Sequence, residues 1–113
     1  MTIQRIPLPR GESSFGMRVM LERREYILEM HWNDRVGRWF LSLADSTGAL
    51  IVTRAFTTGR PLLAGVVDAR RPPGELIALD TARMDTPIGL TELGTRGVLD
   101  YLEAADVAAA VGS

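Results

Sequence analysis

Between positions 15 and 55 apolar and polar residues alternate with a period of two. Phe15, Met17, Val19 and Leu21 interleave with Gly16, Arg18, Met20 and Glu22, which predicts a strand with one buried face. After the polar turn 22–25, Tyr26, Leu28, Met30 and Trp32 alternate with Ile27, Glu29 and His31, and a helix would scatter these apolar positions around its circumference. Asn33, Asp34 and Gly37 then supply turn formers, with Gly37 suited to the positive φ of a short hairpin loop. The return strand is predicted over 38–44, with Trp39, Leu41 and Leu43 on one face and Trp39 beside Trp32 or Met30 across the pair. Asp45, Ser46, Thr47 and Gly48 form an Asx-type turn before the β-branched run Leu50, Ile51, Val52 and Thr53. The last three of these strands are thus predicted to form a meander.

Beyond Phe56 the alternation stops. Residues 57–61 read as a loop in which Pro61 removes a ladder donor, and 62–67 fits either a helical turn or a strand. The segment 70–74 is a turn by its prolines and Gly74, and 75–80 reads as a buried strand. An irregular loop is expected over 81–90 and a short turn closed by Gly94 over 91–94. A final strand is expected over 98–102, because Gly97 and Val98 begin a helix poorly. The fold class expected is mainly all-β: a small antiparallel β-sandwich or β-barrel with short helical turns. Its organisation is expected to be an N-terminal arm over 1–14, one β domain over 15–103 and a flexible, Ala-rich tail over 104–113.

At 113 residues, 46% hydrophobic and 24% charged, the chain has the composition of one globular domain. Thirteen basic residues, all Arg, stand against fourteen acidic ones, so no global field attracts polyanions and nucleic-acid recognition is not expected. The absence of Lys fits a GC-rich coding bias better than selection for planar, bidentate pairing at interfaces. No run approaches the apolar length of a bilayer span, and the first ten residues lack the apolar stretch of a signal peptide, so membrane insertion is not expected. Without cysteine, the sequence excludes disulfides, thiolate metal sites and cysteine nucleophiles.

Chemistry-bearing residues are sparse. His31 is the sole histidine and falls on the face opposite Trp32. None of Ser13, Ser14, Ser42, Ser46 and Ser113 lies in a Gly-x-Ser-x-Gly elbow. Carboxylate pairs such as Glu29 with Asp45, or Asp80 with Asp85, carry almost no specificity for acid and base catalysis, and no acidic loop has calcium-ligand spacing. No Gly-rich loop links a strand to a helix to cradle a phosphate. Trp32, Trp39, Phe40 and Tyr26 fit a core better than a platform for a sugar or base. The expectation is therefore no enzyme, with no catalytic residue, cofactor or metal.

The order of short words along the chain is more informative. Trp32-Asn33, Gly37-Arg38-Trp39-Phe40-Leu41-Ser42-Leu43, Asp45 and Gly48 are followed by Gly59-Arg60-Pro61-Leu62-Leu63 and Pro73-Gly74-Glu75-Leu76. Asp80-Thr81, Leu93-Gly94 and Leu99-Asp100-Tyr101-Leu102 complete the series. Together, over about Phe15 to Glu103, they resemble the cyanophage-type baseplate plug proteins of contractile-tailed bacteriophages and related prophages. The resemblance implies a structural virion protein of the tail baseplate, assembled in the host cytoplasm and contacting hub and tail tube proteins in multiple copies in a symmetric ring. It brings no catalytic residues. Arg35, Arg38, Arg60, Arg70 and Arg71, on predicted loops or strand ends, are the expected protein-contact residues. The alternative is a small β-barrel binding module that holds a carbohydrate or other small ligand on exposed aromatic rings.

Overall fold

The computed structural model describes residues 3–83 and 88–105. Seven strands run in chain order: β1 (Ile3–Ile6), β2 (Ser14–Leu21), β3 (Arg24–Asn33), β4 (Arg38–Asp45), β5 (Leu50–Ala55), β6 (Glu75–Asp80) and β7 (Gly97–Leu102). They form two antiparallel sheets, one of four strands in the order β2-β3-β4-β5 and one of three in the order β1-β7-β6. The architecture is the all-β one expected from the alternation.

The four-stranded sheet is a pure meander, and its registers follow the turns. Leu21 pairs with Arg24 across the two-residue loop Glu22 and Arg23, which have φ of 51° and 71°. Two successive positive φ angles define the tight hairpin turn whose twist matches that of the flanking strands. At the next hairpin Gly37 has φ of 70°, and its amide donates to the Asn33 carbonyl at 2.8 Å. Trp32 consequently faces Trp39, and their rings meet edge to face at 5.7 Å. The Asp45 Oδ1 atom accepts from the amides of Thr47 and Ala49 and closes the third turn. The register shifts by one residue between Leu43 and Ala44, a bulge where β5 joins.

The inward positions of both sheets make one core. Leu21, Tyr26, Leu28, Met30, Trp39, Leu41 and Leu43 from the larger sheet pack with Ile6, Leu76, Ala78, Leu99 and Tyr101 from the smaller. The loops contribute Phe56, Leu62, Leu63, Ile88 and Leu93. The segment 62–67, where helix and strand were both open, is a turn that inserts Leu62 and Leu63 into this core.

The segment expected to be an arm outside the domain carries β1, which pairs with β7 and buries Ile6. Only Ile6 of its four residues is buried, so the sequence shows no alternation there. Arg5 stands opposite Asp100 and holds it with two bonds of 2.7 and 3.0 Å, neutralising a carboxylate buried on the central strand. The Ala-rich tail lies outside the described residues from 106 onward, as do 84–87 within the expected loop 81–90.

Tyr101 links the two sheets. Its buried hydroxyl accepts from the Gly74 amide at 2.8 Å and donates to the Glu22 carboxylate in the β2–β3 turn, which also accepts from the Ala104 amide. Burial, and then the adjacent Glu22 carboxylate, hold the Tyr101 phenol well above its usual pKa. Gly74 is required for this approach, because a Cβ there would lie 2.0 Å from the Leu102 carbonyl oxygen and 2.6 Å from the Tyr101 hydroxyl. Gly48, with φ of 91° and open space around its Cβ position, is constrained by its backbone alone. Gly74→Ala is therefore expected to cost about 3 kcal/mol of stability, against about 1 kcal/mol for Gly48→Ala. Urea unfolding monitored by tryptophan fluorescence separates the two; equal losses would show that Gly74 is not sterically confined.

Candidate functional site

The five arginines expected to make contacts fall into distinct groups. Arg35 and Arg38 are exposed at the β3–β4 hairpin. The Asn33 Oδ1 atom accepts from the amides of Arg35 and Val36 at 3.0 and 3.2 Å, and the Trp32 indole donates to Asp34 at 2.8 Å. This tip is thus a preformed polar surface carrying one apolar side chain, Val36, that is 58% exposed. Arg60 is exposed beside Pro61, where the loop bridges to Ile77 of β6.

Arg70 and Arg71 sit at the far end of β4, about 23 Å along the strand from Arg38 given a rise of about 3.3 Å per residue. Both are committed to their own chain. The Arg71 guanidinium donates to the carbonyls of Leu63, Val66, Pro72 and Gly74, so it shapes the whole loop 63–74. Arg70 donates to both Asp68 oxygens, to Asp45 and to the Leu50 carbonyl, while its own carbonyl accepts from the Tyr26 hydroxyl at 2.9 Å. Between these anchors the loop presents Val67 fully to solvent, at 99% exposure. Such local bonding between a side chain and distant carbonyls leaves no signal in a sequence, because nothing in the spacing shows which carbonyls the fold brings near.

Two of the rings considered for a ligand platform are taken up by the core, while Trp32 is half-buried against it. Trp39 and Tyr26 are each 1% exposed, and the Trp39 indole donates to the Gly89 carbonyl at 3.1 Å. Phe40 is half-buried on the outer face of the larger sheet, where it stacks on His31 at 5.7 Å. Glu29 and Asp45 form no catalytic pair either, since Asp45 is bound by its turn and by Arg70. Asp85 lies outside the described residues. Among the described residues no three His, Asp or Glu side chains gather as a metal site. A shallow depression of about 420 Å³ is lined by Arg24, Glu25, Asp45 and Arg70, of which Asp45 and Arg70 pair with each other across it. Among the described residues no helix is long and apolar enough to cross a membrane.

The described residues form a β module whose exposed features are the sheet faces and loops held by their own hydrogen bonds. The family model described as "Cyanophage baseplate Pam3 plug gp18" matches residues 3–104. The chain belongs to this family of baseplate plugs, structural components of a phage tail baseplate. No curated protein matches it. The matched range includes β1, in keeping with its place in the smaller sheet.

The Arg70 network carries a pH signature. The Arg70 guanidinium pulls the Asp68 carboxyl down to about 2, and hydrogen bonds from Thr47 lower Asp45 in the same direction. A carboxyl lowered in the folded state stabilises above its unfolded value, near 4, and that contribution disappears as pH falls toward the folded value. Stability should therefore drop between about pH 4 and about pH 2, and Asp68→Asn should flatten part of that drop. Urea midpoints measured across this range check it; an unchanged slope in the variant would remove Asp68 from the account.

Proposed function

We propose that the chain is the plug of a contractile-tail baseplate, contacting the hub and tail tube proteins in multiple copies arranged as a ring. The supporting observation is the family match over residues 3–104, joined to a surface whose exposed features are loops held rigid by their own hydrogen bonds. Rigid loops bind with little ordering cost, which suits a part that must fit a preassembled hub. In this reading Arg35, in the β3–β4 turn, Arg38, at the start of β4, and Arg60, in the loop before Pro61, touch the neighbouring proteins, and all three are exposed. Arg70 and Arg71 act one step back, by fixing the loop that presents Val67. Assembly takes place in the host cytoplasm before the virion is released.

The test is recovery of tagged chain from cells that carry the full set of tail genes, with mass identification of the accompanying proteins. Hub and tube proteins should copurify at fixed stoichiometry. Replacing Arg35, Arg38 and Arg60 together by Ala should lower that recovery by about tenfold or more while leaving the urea midpoint almost unchanged, since exposed substitutions cost within about 0.5 kcal/mol each. Tail particles that assemble with full infectivity without the chain would sink the reading. Recovery that the triple variant leaves unchanged would remove these arginines from the interface.

A further inference from the structure

The sheet edges are not alike. The outer edge of β6 is covered, because the amides of Gly59 and Leu62 donate to the carbonyls of Ala78 and Leu76 at 2.8 Å. β1 is only four residues long. At β5 the register is broken by a bulge, and the Leu50 carbonyl is taken by Arg70. β2 is different. It runs for eight residues in unbroken register with β3, contains no proline, and among the described residues no strand or loop pairs with its other side. Long, flat, uncovered edges are templates for pairing.

The β2–β3 turn determines which backbone groups are free. Two-residue hairpins close on a pair that exchanges both backbone bonds, so Leu21, Val19, Met17 and Phe15 bond to β3. The bond from the Trp32 amide to the Ser13 carbonyl continues this phase. Ser14, Gly16, Arg18 and Met20 therefore direct their N–H and C=O groups away from the sheet.

We infer that β2 pairs antiparallel with β2 of a second copy about a two-fold axis at Met17, joining the two larger sheets into one of eight strands. In this register Gly16 lies opposite Arg18 of the second copy and Ser14 opposite Met20, so all four outward residues are bonded. A slip of two residues one way sets Arg18 against Arg18, and the other way leaves Met20 without a partner in β2. The charges favour the central register. Gly16 has no side chain, and Glu29 is its exposed neighbour on β3. Arg18 of the second copy passes over Gly16 to Glu29, two strand spacings or about 10 Å between backbones, within the joint reach of these side chains. The two-fold axis makes this ion pair twice. In the single chain Arg18 instead holds Glu25 at 2.7 Å, an exposed pair that little opposes exchange. The inference rests on the β2 edge and stands apart from the plug reading.

The full chain, purified alone, should sediment as a dimer at concentrations on the order of 100 μM. Glu29→Arg places like charges together at an exposed position and should weaken the dimer by about tenfold or more, whereas the double variant Arg18→Glu with Glu29→Arg should restore it. The chain has no native cysteine, so Met17→Cys should cross-link under mild oxidation while Met20→Cys should not. A wild-type chain that stays monomeric, a dimer indifferent to Glu29→Arg, or linkage through Met20→Cys in place of Met17→Cys would each overturn the proposal.

Discussion

The Tyr101 hydroxyl is the point at which the two sheets depend on each other. It stands on the central strand of the smaller sheet, donates to Glu22 in a turn of the larger one, and accepts from Gly74 in the loop that precedes β6. The smaller sheet buries its apolar face against the inner face of the meander. Apolar burial draws the faces together without direction, whereas a buried hydroxyl with two fixed partners admits few relative positions. The absence of a Cβ at Gly74 is what allows the chain to come that close. One polar atom thus sets the alignment of a contact whose strength is hydrophobic.

The same economy governs the loops. Four carbonyls around Arg71, and the Asp45, Asp68 and Leu50 oxygens around Arg70, replace the regular ladder that the segment 62–74 lacks. Guanidinium groups suit this work because they offer five donors in a rigid plane. Arginines that look like contact residues in a sequence therefore divide into those that face outward and those that hold a loop in shape. A surface that is already ordered in this way loses little freedom on docking.

The surface of this β module is defined by what the fold leaves uncovered. The smaller sheet is closed at β6 by its own loop, whereas among the described residues nothing pairs with the outer edge of β2. Gly16 adds to that openness by removing a side chain from the outer face beside Glu29. A strand edge of this kind is a hazard for an isolated protein and an asset for one that is built into a larger structure.

The alternation between Phe15 and Leu43 determined the strands and their inner faces, and the turns determined a meander from Tyr26 onward, because a period of two admits only one assignment of faces and Gly37 admits only a tight turn; the packing added β2 to it. The strand 75–80 was legible from its turn, the strand expected over 98–102 from the poor helix start at Gly97 and Val98, and the burial of Tyr26 and Trp39 from their phase. The order of short words along the chain was enough to indicate the family, since order and spacing survive where single residues say little. β1 was not legible: an edge strand with a single buried residue has no period to detect, and its partner lies 95 residues away. Nor could spacing show that Arg70 and Arg71 bind their own backbone, or that β2 keeps an open edge. These depend on which segments the fold brings together, and only the packing of the two sheets through a common core decided that.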